Sequence, residues 1–285
     1  MIHLSNKRKW IPYLLIIPSF SLICIFKLYP IFTTLVESFI VDSQFTFSVF
    51  SELFKDDAFW NSLGVTLKLN VVMIPLQIII SFGMALLVNS AVKVIGVFRT
   101  IFYLPVTISL TVACLLWNMM LNPNSGVINS LLGIFNIPMQ GFFTDKNQAL
   151  WCIIIVATWK GVGYWMMFLL AGLKNIDAEI YESAKIDGAG WLKTTFQITL
   201  PLIKKVLLFV FIANTTSNLL LFIPMQVITG GGPQGSTNVL MYEAYKSAFK
   251  YGDRARSSAI VTILLILIVA ACAVQALMLR EKEKS

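Results

Sequence analysis

Charge is scarce in this sequence. Only 13% of its 285 residues are Asp, Glu, Lys or Arg, against ~25% in an ordinary soluble domain. Hydrophobic residues make up 57% and the mean hydropathy is +0.79, so a bilayer is the expected solvent. Histidine is nearly absent: His3, in a polar N-terminal tail, stands alone. That excludes histidine-dependent triads and most histidine metal sites. The cysteines Cys24, Cys114, Cys152 and Cys272 lie singly inside apolar runs without metal-ligand spacing and read as small buried hydrophobes. No G-x-x-x-x-G-K-[ST] stretch occurs, so any dependence on ATP rests with a partner. The net charge of +8 is spread over short connections and not gathered on a basic domain, which argues against nucleic acid.

What the sequence does contain is a series of apolar runs long enough, or nearly so, to cross a hydrocarbon core of ~30 Å. The first follows Lys7, Arg8 and Lys9 like a signal peptide. No small-residue cleavage site comes after it, and the apolar character continues to about Ile40, so it reads as a retained span. Further spans are expected at about 63–89, 100–121, 149–173, 205–228 and 257–279. These runs are too uniformly apolar for barrel strands. The expected class is all-α: a polytopic membrane protein of six transmembrane helices over 11–279, between short tails at 1–10 and 280–285.

Lys and Arg set the orientation. The N-terminus, the 90–99 loop, the 174–205 segment and the C-terminal tail carry most of the positive residues, while Lys55, Lys146, Lys246, Lys250, Arg254 and Arg256 lie in the other connections. Both termini are therefore expected in the cytoplasm. The outward connections at about 41–62, 122–148 and 229–256 are too short to be domains.

One cytoplasmic segment is unlike the rest. In YESAKIDGAGWLKTTFQITLPLIKK (181–205), apolar and small residues recur at helical spacing through Ile176, Ile180, Ala184 and Ile186. Gly188 and Gly190 break the run, Asp187-Gly188 suits a turn, and Pro201 closes a second short helix. A stiff amphipathic helix, turn and helix fit a groove on another protein. Glu182, Ser183, Ala184, Asp187, Gly188, Ala189, Phe196, Ile198, Leu200 and Pro201 also stand in the order and spacing of the EAA motif. The chain thereby resembles the membrane subunits of binding-protein-dependent ABC importers, of the type I fold. FRTIFYLP (98–105), NPNSGVIN (122–129), TWKGVGYWMMFLLAGLKNI (158–176) and TGGGPQGSTNVLMYEAY (229–245) look like stretches of maltose-type carbohydrate permeases. The likeness is to the first of the two paired subunits, including relatives that import glycerol 3-phosphate. Ser183 departs from the family's usual alanine, but a small residue still packs there.

The resemblance implies a bacterial or archaeal cytoplasmic membrane permease without a cofactor of its own. Its implied partners are a second permease subunit, an ABC ATPase dimer that binds ATP and magnesium, and an extracytoplasmic solute-binding protein delivering a carbohydrate. Glu182, Ser183, Ala184, Asp187, Gly188, Ala189 and Gly190 would form the coupling helix and its turn, with Glu182 the acidic anchor.

Polar residues inside the spans are the remaining candidates. In ANTTSN (213–218), polar groups at bilayer depth either pair between helices or face a cavity. Asn214, Asn218, Phe222 and Gln226 are four apart and are expected on one helical ridge. Amides suit hydroxyls and a ring suits a sugar's apolar face, so this ridge, with Lys160 and Tyr164, is a candidate substrate path. Lys160 is an intramembrane cation; Lys27, nearer a span end, is expected to snorkel. TGGGPQGST (229–237) is too glycine-rich for helix and is expected to form a turn that meets the binding protein or acts as a gate. An ion-driven secondary transporter would call for paired broken helices and acidic residues within spans, and the sequence signals neither.

Overall fold

The computed structural model describes residues 11–41, 44–89 and 95–280. The N-terminal tail with Lys7, Arg8 and Lys9, the loop residue Lys93, and residues 281–285 of the C-terminal tail lie outside them.

The architecture is all-α apart from one two-residue β-pair. Helix α1 (Ile11–Ile23), a π-helical turn (Cys24–Leu28) and α2 (Tyr29–Glu37) form one apolar rod. The rod contributes a span over Tyr13–Glu37, none of it buried within the chain. Strands β1 (Ile40–Val41) and β2 (Gln44–Phe45) pair antiparallel, Ile40 opposite Phe45 and Val41 opposite Gln44. The ring of Phe39 meets those of Phe45, Phe47 and Phe50 at 5.1–5.6 Å. Next come α3 (Ser48–Leu53), α4 (Asp57–Val88), α5 (Ile95–Thr107), α6 (Leu110–Met120), α7 (Val127–Ile134) and α8 (Ala149–Lys174). The chain continues through α9 (Ala178–Ile186), α10 (Trp191–Thr194), a π-helical turn (Thr195–Thr199), α11 (Leu200–Leu202) and α12 (Lys204–Leu219). A third π-helical turn (Met225–Thr229), α13 (Leu240–Phe249) and α14 (Arg254–Arg280) complete it.

Among the described residues four spans are continuous: Tyr13–Glu37, Asp57–Val88, Ala149–Lys174 and Arg254–Met278. The expected third span is instead bent by 96° between α5 and α6, and a 75° bend separates the Trp191–Leu202 stretch from α12, beside Pro201, where the short helix was expected to close before the fifth span. Counting each bent pair as one span gives the six that were expected. Breaks of this kind leave backbone groups that must find partners inside the protein.

Contacts divide the chain into two compact units, 1–56 with 244–263, and 57–243 with 264–285. In the first, Arg256 pairs with Asp56, its Nε donates to Ser247 Oγ at 3.2 Å, and Ser257 Oγ donates to Ala244 O at 2.9 Å. In the second, α4, α8 and α12 pack together through Ala85, Val88, Trp165, Met166, Leu169, Leu173, Ile203 and Val210. One face of α4 is polar although buried. Ser62, Thr66, Asn70, Gln77 and Ser81 fall at helical spacing and are at most 5% exposed. The hydroxyls of Ser62 and Thr66 and the Asn70 amide bond carbonyls of the preceding turn. Gln77 and Ser81 reach across to Ala157 O and Val162 O of α8, at 3.3 and 2.9 Å.

Candidate coupling and transport sites

Helix α9 starts a short turn beyond the end of the α8 span, at Ala178. Its end is set by backbone chemistry. Gly188 adopts φ +72°, which an L side chain reaches only at a cost. The Ala189 N–H then bonds Ala184 O at 2.9 Å and the Gly188 N–H bonds Lys185 O at 3.1 Å. This is the Schellman pattern, which satisfies otherwise orphaned helix carbonyls. Ala184 is buried, whereas Glu182, Ser183, Asp187, Gly188 and Gly190 are exposed and Ala189 is half-buried. Ile186, Trp191, Leu192 and Phe196 are all more than 60% exposed. A rigid helix and turn thus present an acid and several apolar side chains outward, on a connection between spans.

The polar block of the fifth span is occupied internally. Asn214 Nδ2 and Asn218 Nδ2 both donate to Gln77 Oε1, at 2.6 and 2.9 Å, and Asn218 Nδ2 also lies 3.0 Å from Asn214 Oδ1. All three residues are buried, so the amides join α12 to α4. Phe222 and Gln226 do not continue their ridge. Helix α12 ends at Leu219, and the chain re-enters helical geometry at Ile223 and Pro224, ahead of the π-turn. Pro224 has no N–H to bond Leu220 O and is tolerated only in the first turn of a helix, so a new helical stretch begins here and the four-residue spacing is interrupted at Leu221 and Phe222. Phe222 is half-buried and Gln226 exposed.

Lys160 lies on α8 and donates to Val106 O at 3.0 Å, in the last turn of α5 beside the bend. Its neighbour Trp159 meets Trp117 of α6 edge-on at 5.6 Å. A Cβ added to Gly163 would stand 2.2 Å from Phe102 O, so α5 approaches α8 backbone to backbone. Three successive features of α8 therefore hold the bent third span. Tyr164, 43% exposed, packs edge-on against Trp165 and Phe168 at 4.9 and 5.1 Å. Lys27 is exposed within its span.

The 229–237 turn is fastened to its surroundings by Asn61 Nδ2 donating to Gly235 O at 2.9 Å and by Thr237 Oγ1 donating to Gly232 O at 2.8 Å. Just past it, the Leu240 N–H bonds Thr66 Oγ1 at 2.8 Å. Gln77 was not singled out from the sequence, although its place in the 62, 66, 70, 77, 81 series was a readable signal. Among the described residues no cluster of His, Cys, Asp and Glu has metal-site geometry.

Residues 77–281 match the family of binding-protein-dependent transport system inner membrane components. The lactose transport system permease protein LacF of Rhizobium radiobacter is 35% identical over 269 residues, with 90% of each chain covered. The sn-glycerol-3-phosphate transport system permease protein UgpA of Yersinia pestis is 30% identical, covering 93% of this chain and 92% of its own. Among solved structures, a bacterial alginate ABC transporter in complex with an alginate pentasaccharide-bound periplasmic protein superposes with a TM-score of 0.87 at 22% identity, covering 98% and 97% of the two chains. The family match over residues 77–281 and the relatives alike along nine-tenths of the chain agree: this chain belongs to the binding-protein-dependent inner membrane component family and is a membrane permease subunit of an ABC importer.

Proposed function

We propose that this subunit moves a carbohydrate, a sugar or oligosaccharide, handed over by an extracytoplasmic binding protein, and that residues 181–190 couple it to a separate ATPase. The observation that carries the coupling role is the exposed α9 with its Schellman turn. Glu182 and Ile186 stand on its outward side, and nearby Trp191, Leu192 and Phe196 are uncovered. Such a surface is shaped for a protein groove. ATP and magnesium belong to the partner ATPase dimer, a second permease completes the path, and both termini lie in the cytoplasm with α9.

Docking on a helix moves a transporter only if the ATPase binds one conformation better than the other. Reversing a 1:99 ratio of conformations takes a preference of ~5.5 kcal/mol, within reach of an interface built on several uncovered apolar residues. The sugar reading is supported by the lactose permease likeness. The cargo path is assigned to the stretch just beyond α12, whose Phe222 ring and Gln226 amide suit a polyol, and to the Tyr164 phenol on α8. Asn214 and Asn218 fix α12 to α4, and Lys160 fixes the end of α5. A glycerol 3-phosphate cargo, favoured by the UgpA likeness, would need a cation facing the path, and Lys160 is engaged with Val106 O.

The test is reconstitution with the companions recovered by mild-detergent purification, followed by ATPase and uptake assays across a sugar panel. Glu182→Ala and Gly188→Val are expected to lose sugar-stimulated hydrolysis and uptake while the chain still inserts. Unchanged uptake in both variants refutes the coupling assignment, and stimulation by glycerol 3-phosphate alone refutes the sugar assignment.

A further inference from the structure

Behind α9, on the side of Tyr181 and Lys185, lies a cavity of about 410 Å³. It is bounded by the end of α4 at Leu86 and Asn89, by α9, by α10 and by the Thr195–Thr199 turn. Its lining is rich in hydrogen-bond donors. The hydroxyls of Tyr181 and Thr199 lie 3.3 Å apart and Thr199 Oγ1 donates to Thr194 O at 3.2 Å, so that pair satisfies itself. The Lys185 ammonium, the Asn89 amide, the Trp191 indole N–H and the Thr195 hydroxyl make no side-chain hydrogen bond or ion pair among the described residues. Among the described residues no carboxylate lines the cavity. A space with one free cation, three further free polar groups and no acid lacks an anion with several acceptor oxygens.

We infer that this cavity binds a phosphate group, with Lys185 supplying the charge and Asn89, Trp191 and Thr195 the neutral hydrogen bonds. A phosphate offers the acceptor oxygens that charge-assisted bonding requires. Its place in the chain fits a headgroup: the α4 span ends at Val88 and the α8 span at Lys174, a few residues from the cavity lining. Basic pockets between spans at a membrane boundary hold anionic lipid headgroups. A soluble phosphate ester offers the same group from the aqueous side. In either case the occupant bridges α9 to the end of α4 and braces the helix that faces outward. Binding does not depend on the coupling assignment, because it is read without transport.

The experiment uses the assembled importer in a phosphate-free maltoside detergent and reads the thermal unfolding midpoint and the ligand retained in native mass spectrometry. One arm adds phosphatidylglycerol; the other adds inorganic phosphate or glycerol phosphate, against chloride at equal ionic strength. A midpoint rise in the first arm identifies a lipid headgroup, and a rise in the second a soluble ester. Lys185→Gln abolishes the rise, Lys185→Arg restores it, and Thr195→Val reduces it. Lys193→Gln, an exposed lysine outside the cavity, leaves it intact. Absence of a rise in both arms overturns the site. So does an equal loss in Lys193→Gln, which would reduce the effect to general surface charge.

Discussion

Replacing Gln77 with leucine separates the amide cluster from α4 while nearly keeping the side-chain volume. The substitution removes two bonds accepted by Oε1, from Asn214 at 2.6 Å and Asn218 at 2.9 Å, and the longer one to Ala157 O. Asn218 keeps its partner Asn214 Oδ1, whereas Asn214 Nδ2 loses the single bond it makes. Hydrogen bonds between membrane helices average ~0.6 kcal/mol, so the two short bonds account for ~1.2. A buried donor left unpaired adds ~1–3 kcal/mol. The expected loss is therefore ~2–4 kcal/mol for Gln77→Leu. For Asn218→Leu, Gln77 Oε1 still accepts from Asn214, but the buried acceptor Asn214 Oδ1 loses the donor given to it, so the two lost bonds and the stranded acceptor again predict a loss of ~2–4 kcal/mol. SDS-titrated unfolding of the purified subunit pair measures both. A loss below ~1 kcal/mol in either variant would falsify the argument that a stranded buried polar group adds to the lost bonds.

Gly163→Ala forces α5 off α8, because the new Cβ meets Phe102 O at 2.2 Å; the expected cost is ~1–3 kcal/mol, checked by the same titration. Gly188→Val meets no steric neighbour, so its expected penalty of ~1–2 kcal/mol is purely conformational. Gly188→Asn is expected to cost less, since asparagine tolerates the left-handed region, and hydrogen exchange at Ala189 reads both. Lys160→Met leaves Val106 O unpaired and is expected to loosen the bend between α5 and α6, while Lys160→Arg preserves the donor. Crosslinking between cysteines placed at Phe102 and Val162 distinguishes them, and equal behaviour of the two variants refutes the pin.

Most of the fold was legible because apolar length is a direct consequence of bilayer thickness. The span expected at 149–173 and the observed Ala149–Lys174 agree almost to the residue. Asp187 and Gly188 marked the end of α9 because a left-handed residue is needed there and glycine adopts it freely. The break after Leu202 was marked by Pro201, but the bend between α5 and α6 was not legible. Leu110 follows Ser109 within an apolar stretch, and whether such a stretch runs straight depends on partners such as Lys160 and Gly163, more than 50 residues away. The ridge through Phe222 and Gln226 failed for a local reason, Pro224, that was present in the sequence. The pairing of Asn214 with Gln77, 137 positions apart, became visible only with the helices assembled; the polar series on α4 indicated that some such partner existed.

The rod formed by α1 and α2 bears on how the protein is made. Since none of the span Tyr13–Glu37 is buried by the rest of the chain, its insertion owes nothing to helices synthesised after it. It must qualify on its own composition, with Lys27 charged ~2.5–3.5 kcal/mol if it reaches the bilayer centre. Against that stand leucine, isoleucine and phenylalanine residues contributing ~0.3–0.6 kcal/mol each, and a mean hydropathy of 2.0. Composition alone can therefore carry this helix into the membrane, and its apolar surface stays available to lipid or to the second permease.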